Sequence, residues 1–301
     1  MSLRKSSISE KSFHLAGIVP VAGQKLDFEC PWHDSLMPIA PNYLAVERAV
    51  LECAWAGCET IWIVCNDDIQ PLIRYRLGDY VFDPVSLRRQ YGIKPTDEKR
   101  PITIYYVPVH PNDREKRDCL SWSVLYGART SFDISKQIST WVAPDRYYVA
   151  FPYGVYDPEV LRQRRMEIST RRGFFLSYND TTVRDGKYLG FTFDAKDYSR
   201  FMKIVRSGTG EKVPGQDISD GYPREKLPLH KRWSARYFSL DKVFQSAKVE
   251  GANIQDVDWY YDIDSWEGYS KYMASGVIAN KPAKCIMTYR EWNSIGVNNS
   301  E

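Results

Sequence analysis

Residues 14–68, HLAGIVPVAGQKLDFECPWHDSLMPIAPNYLAVERAVLECAWAGCETIWIVCNDD, read as strand, loop, helix and strand. Leu15–Val21 is an apolar run that closes on Ala22-Gly23, as a buried parallel strand does at a tight turn. After a polar loop, Pro38 and Pro41 precede a helix expected from Tyr43 to Trp55. Its positions Val46, Ala49, Val50, Cys53 and Ala54 follow the i, i+3, i+4, i+7, i+8 spacing of one helical face. Gly57 stands where a C-cap glycine belongs. Ile61–Cys65 is a second buried strand, ending at Asn66-Asp67-Asp68. Two such strands joined by a helix form a right-handed βαβ unit. Ligands of open α/β sheets lie beyond the carboxyl ends of the strands, so chemistry is expected in the loop Ala22–Met37.

The rest of the chain continues the alternation. Gln70–Tyr80 has helical spacing, and Leu87–Gln90 suits a second short helix. Gly92–Pro101 is a charged connection, and the β-branched and aromatic run Ile102–Val109 is a strand. The polar loop His110–Asp118 leads to a helix over Leu120–Ala128, and Tyr147–Phe151 is the next buried strand. From Gly173 the pattern shifts to aromatic strands, Gly173–Tyr178 and Tyr188–Phe193, joined through a turn containing Asp185-Gly186. Asp197–Val205 is helical, and Ser207–Pro228, rich in Gly, Pro and charge, suits a long mobile loop or lid. Ser239 is placed to cap a short helix reaching Phe244. In Asp256–Tyr272, Asp264 or Ser265 is placed to cap a helix over Trp266–Met273. There is no internal repeat. The expected divisions are a flexible tail (1–12), an α/β half (13–165), a second half of the same domain (166–275) and a C-terminal arm (276–301).

Composition bounds the function. A chain of 301 residues with 43% hydrophobic and 26% charged residues has the balance of a globular protein. A net charge of +3 does not argue for nucleic acid or membrane as a partner. The basic run Arg162–Arg172 reads as a solvated helix face or, alternatively, an anion site. Aromatic residues reach 14%, which suits either an aromatic core or an assembly surface. Six scattered cysteines without CxxC or Cys/His metal spacing, and without a signal peptide, lead to the expectation of reduced thiols in a soluble cytoplasmic protein.

The order Ala22-Gly23, Pro31, Ser35-Leu36-Met37-Pro38-Ile39, Pro41, then Leu44–Asp67 resembles the opening of the sugar nucleotidyltransferases. Asp262-Ile263-Asp264-Ser265-Trp266-Glu267-Gly268-Tyr269 is similar to a stretch that closes their catalytic domain. The resemblance implies an α/β fold of the nucleotide-diphospho-sugar transferase (GT-A-like) type, a mostly parallel mixed sheet flanked by helices with a smaller β-rich C-terminal part. It implies a nucleoside triphosphate and a sugar phosphate as partners, with Mg²⁺ as cofactor. Lys25, His33 and Asp157 are then the catalytic candidates. Ala22, Gly23 and Gln24 would cradle phosphate, Ser121 and Ser123 would lie at the base, and Asp262 and Asp264 would hold the metal. Alternating carboxylates on an extended segment point the same way, which suits a shared cation.

Bland readings stand beside these. Ser121 or Ser123 is an N-cap at a helix start, Asp157 before Pro158 is a turn or cap residue, and a lone His is commonly a packing residue. The chain also departs from the family: Trp32 follows Pro31 where the family has Lys, and Tyr153-Gly154 stands where it has Gly-Asp. A Trp cannot follow phosphate charge as an ammonium does. Three functions therefore stay open: a divergent nucleotidyltransferase releasing pyrophosphate, a catalytically inactive relative serving as a structural or assembly protein, and a GT-A-type glycosyltransferase.

Overall fold

The computed structural model describes residues 13–23, 33–85, 101–113, 119–138, 143–209 and 238–282. Among them an eight-stranded sheet carries the fold. Its strands are β1 (Leu15–Pro20), β4 (Thr60–Cys65), β5 (Tyr80–Phe82), β6 (Pro101–Pro108), β7 (Arg146–Val149), β9 (Phe174–Ser177), β10 (Phe191–Phe193) and β11 (Asn253–Asp256). Their order is β11-β9-β10-β7-β1-β4-β6-β5. β7, β1, β4 and β6 are parallel, as are β9 and β11, while β10 and β5 run against their neighbours. Two small antiparallel pairs lie outside the sheet, β2 (Pro38–Ala40) with β3 (Tyr43–Leu44) and β8 (Gly154–Val155) with β12 (Tyr261–Asp262).

Both faces of the sheet are covered, and the central strands alternate between them. Leu15 and Val19 of β1, with Ile61 and Ile63 of β4, join one apolar cluster; Ala16, Ile18, Trp62 and Val64 join the other. On the first face lie α1 (Ala45–Ala56), α2 (Gln70–Leu77), the single turn α4 (Arg165–Ile168) and α7 (Trp266–Ala274). On the second lie α3 (Leu120–Gln137), α5 (Ala195–Thr209) and α6 (Leu240–Phe244). Each fully buried aliphatic side chain contributes about 1.5–3 kcal/mol, so these clusters dominate the favourable side of folding.

The helix α1 departs from the amphipathic expectation, since all 12 of its residues are buried. Its polar positions are paired inside the protein. Arg48 Nη1 donates to Glu52 at 2.9 Å and Nη2 to the Phe151 carbonyl. The hydroxyls of Tyr148 and Tyr156 donate to Glu52 Oε1 at 2.7 and 2.6 Å. Glu47 accepts the Leu44 N–H and binds Arg76 and Lys281. Gly57 ends the helix with φ 89°. Its last carbonyls, of Ala54 and Trp55, accept from Arg165, whose guanidinium also grips Asp83.

Several boundaries differ from the sequence reading. The helix expected from Tyr43 starts at Ala45, because Tyr43–Leu44 pairs with Pro38–Ala40. The helix expected to Tyr80 stops at Leu77, where Gly78 turns the chain (φ 75°, ψ −160°) and frees Tyr80–Phe82 to pair with β6. Of Tyr188–Phe193 only Phe191–Phe193 is strand, since the Tyr188 N–H goes to the Tyr260 hydroxyl. Ser239 occupies the N-cap position of α6 without a side-chain bond. The run Arg162–Arg172 is not a bare solvated face: besides Arg165, Arg164 is tied to Gln255 and Glu167. The expected helix Leu87–Gln90 and nearly all of the expected lid lie outside the described residues; Ser207–Thr209 ends α5. Cys53, Cys58, Cys65 and Cys119 are buried and none is in a disulfide. Among the described residues no helix is long and apolar enough to cross a membrane.

Candidate functional site

The parallel strands deliver their carboxyl ends to one edge, and Ala22 and Gly23 follow the end of β1 there. After β1, Val21 and Ala22 donate their N–H groups to the Val64 carbonyl, which fixes the turn. Gly23 follows with φ 86°, and a Cβ on it would lie 2.5 Å from the Cys119 backbone. Only glycine fits there, since both the backbone conformation and the space exclude a side chain. The turn is thereby seated on the N-terminus of α3. Ser123 completes the seat by donating to the Ala22 carbonyl at 2.6 Å, and Ser121 donates to the Phe238 carbonyl at 3.3 Å. Both serines are buried, and the cap of α3 is Cys119, whose sulfur accepts the Trp122 N–H. Gln24 and Lys25 lie outside the described residues.

Two tyrosines connect this turn to the far side of the edge. The Tyr153 hydroxyl donates to the Val21 carbonyl at 3.1 Å, and its ring meets the Tyr188 ring at 5.7 Å between centroids. Tyr188 in turn donates its hydroxyl to Asp264 Oδ2 at 3.2 Å. Asp262 lies next to Asp264 on the segment that follows β11. The Ile263 N–H between the two carboxylates donates to the Tyr153 carbonyl at 2.9 Å, which anchors that segment to the end of β7.

Asp262 opens into a cleft of about 410 Å³, lined also by Tyr178, Asn179, Thr181, Lys187, Tyr260 and Lys271. Lys187 Nζ is 3.6 Å from Asp262 Oδ2, while Asp262 Oδ1 is buried and accepts no hydrogen bond among the described residues. Burial first, and then Asp264, push the Asp262 carboxyl up to about 6 from an ordinary 3.8, against the pull of Lys187. Asn179 (φ 48°) and Asp180 (φ 60°) form a left-handed turn at the cleft mouth, closed by two backbone bonds between Tyr178 and Thr181. Asn and Asp are the non-glycine residues that adopt this conformation most readily, as in two-residue turns between paired segments.

The other candidates are engaged locally. His33 caps a single 3-10 turn (Asp34–Leu36) by accepting the Ser35 N–H, and burial lowers its pKa against Asp34 and Asp68. Asp157 caps the 3-10 segment Pro158–Arg164 by accepting the Glu159 N–H at 2.9 Å. A relay of two buried tyrosines, Tyr153 and Tyr188, thus runs from the Val21 carbonyl beside the Ala22-Gly23 turn to Asp264. Lys187 and the tyrosines were not among the anticipated residues. The only local signal for Lys187 was its place directly after the Asp185-Gly186 turn.

The α/β fold is similar to that of a solved structure named a glucose-1-phosphate thymidylyltransferase. No protein-family model matches its sequence, nor does any curated protein. A Bacillus anthracis protein provisionally named a glucose-1-phosphate thymidylyltransferase, solved with sucrose, superposes at TM-score 0.51 with 11% identity over 89% of this chain and 98% of that one. A UDP-glucose pyrophosphorylase solved with UDP-glucose gives 0.47 and 14% over 87% and 98%. A 4-diphosphocytidyl-2C-methyl-D-erythritol synthase from Anaerococcus prevotii gives 0.46 and 11% over 88% and 96%. At such identities the likeness is one of fold.

Proposed function

We propose that the chain binds a nucleoside triphosphate and a phosphorylated sugar at the carboxyl edge of its sheet and joins them with release of pyrophosphate. The observation that carries this reading is the cleft beside the acidic pair, which sets Lys187 and Lys271 for phosphate against tyrosine rings suited to a sugar or base. A phosphate oxygen of the sugar phosphate attacks the α-phosphorus of the triphosphate, the α–β P–O bond breaks, and pyrophosphate leaves with the electron pair. In this reading Ala22 and Gly23 receive the triphosphate and His33 stands beside it. Asp157, engaged in capping, is left out.

Mg²⁺ fits the carboxylates on chemical grounds. The ion commonly takes one or two carboxylates and completes its shell with phosphate oxygens and water. No group of three or more His, Cys, Asp or Glu side chains suited to a metal occurs among the described residues, so the phosphates would supply the remainder. Asp262, with its unpartnered Oδ1, and Asp264 would hold it. When bound, the ion neutralises charge developing on the leaving pyrophosphate.

Calorimetric titration of each nucleoside triphosphate, with and without Mg²⁺, tests the reading on the wild type and on Asp262→Asn/Asp264→Asn. Mg²⁺-dependent binding in the wild type, lost in the double variant, is expected. Silence from every triphosphate sinks catalysis. It would shift weight to an assembly role, which the exposed Trp266, Met273 and Ile278 favour.

A further inference from the structure

We propose that Lys187 is the built-in counter-ion of the Asp262–Asp264 pair and holds divalent cations off it until a phosphate-bearing ligand draws the ammonium away. The inference deepens the reading above and depends on it for the identity of that ligand. Lys187 is carried by a stretch of backbone that is pinned to the cleft. Gly186 (φ 84°) ends the 3-10 turn Val183–Asp185, the Lys187 N–H bonds the Thr182 carbonyl at 3.3 Å, and the Tyr188 N–H bonds the Tyr260 hydroxyl at 3.0 Å. The stem is thereby aimed along the wall of Tyr260, and Nζ ends 5.9 Å from the centre of that ring and 3.6 Å from Asp262 Oδ2. The side chain is 40% exposed, which leaves its ammonium room to move.

Neighbouring carboxylates repel unless a cation compensates them. Asp264 receives only the Tyr188 hydroxyl among the bonds described, and Lys271 across the cleft is paired with Glu267 at 2.6 Å. Lys187 is therefore the ion-pair partner that Asp262 has among the described residues. A divalent cation approaching the free protein meets an ammonium already at ion-pair distance. It must either displace that ammonium or bind beside a positive charge. A phosphate in the cleft changes the balance, because it offers the ammonium a doubly charged partner and leaves the Asp262 oxygens free. Anion and cation then assist one another, and by linkage each raises the affinity of the other equally.

Mn²⁺ alone, followed by the resonance of the free ion, is titrated into the full chain without any phosphate. Lys187→Met is expected to bind Mn²⁺ about tenfold more tightly than the wild type, since an uncompensated charge a few ångströms away is worth at least that much. Lys187→Arg should resemble the wild type, and Lys187→Met/Asp262→Asn should lose the gain. Equal affinity in wild type and Lys187→Met overturns the proposal, as does a gain that survives without Asp262 or appears in Lys187→Arg. Glucose 1-phosphate is then added, and should tighten Mn²⁺ binding to the wild type but not to Lys187→Met. If the metal results hold and glucose 1-phosphate tightens nothing, the counter-ion role stands and the sugar-phosphate reading falls.

Discussion

At the residue scale, Asp262 is where burial and charge pull hardest against each other. Its carboxyl is raised to about 6 in the folded chain, mainly by burial, while an unfolded chain titrates near the ordinary 3.8. The native state therefore holds the proton longer than the unfolded state does. Stability falls as pH rises from about 4 to about 6, and above that range the penalty from this group stays constant at its full size. The shift alone corresponds to about 3 kcal/mol, which partial exposure reduces to about 1–2 kcal/mol. Asp262→Asn removes that penalty, so its melting temperature should gain on the wild type by more at about pH 7 than at about pH 4. Thermal melts of both proteins across that range decide the matter, and an offset independent of pH would contradict it. The two aspartates were legible from their alternation in sequence. Lys187 was not, since it stands 75 positions before Asp262 and nothing local joins them.

At the element scale, α1 shows what a periodic pattern conveys and what it omits. The apolar face and the Gly57 stop were readable because both depend on residues a few positions apart. The fate of Arg48 and Glu52 was not, because their partners Phe151, Tyr148 and Tyr156 arrive from about a hundred residues further on. Charged residues opposite an apolar stripe ordinarily face water; here the 3-10 segment Pro158–Arg164 and the β7 end close over them. The same limit explains Arg165, whose basic neighbourhood read as surface although it caps α1. Removing one member of a fully buried pair strands the other, at a cost of about 3–5 kcal/mol. Glu52→Leu or Arg48→Met should each lower stability by that order. Arg48→Met/Glu52→Leu, which removes both charges, should lose clearly less than the sum. Urea unfolding of the four proteins in a double-mutant cycle measures the coupling, and strict additivity would show that the pair is not the unit described.

At the scale of the whole molecule, strand order binds the two halves of the chain into one sheet. β7 is hydrogen-bonded to β1 on one side and, on the other, to β10, which comes more than forty residues later. Phe191 of β10 stacks between Phe151 and Phe175, and Phe244 of α6 packs against it. Cutting the chain after position 165 would leave β7 as an apolar edge strand without this cover, and would take away the Gly190 N–H that Tyr156 accepts beside Glu52. Exposed apolar edges of that kind invite pairing with other chains. The acidic pair suffers equally, because the Ile263 N–H between the two aspartates bonds the Tyr153 carbonyl only when both halves of the chain are present. Residues 1–165 expressed alone should therefore aggregate or lack a cooperative melt, whereas co-expression with residues 166–301 should yield a soluble complex that copurifies and melts as one unit. Gel filtration and circular dichroism of both preparations separate the outcomes. A monomeric, cooperatively melting 1–165 fragment would mean that the first half carries a sufficient core of its own, and that the site is assembled by docking rather than by folding.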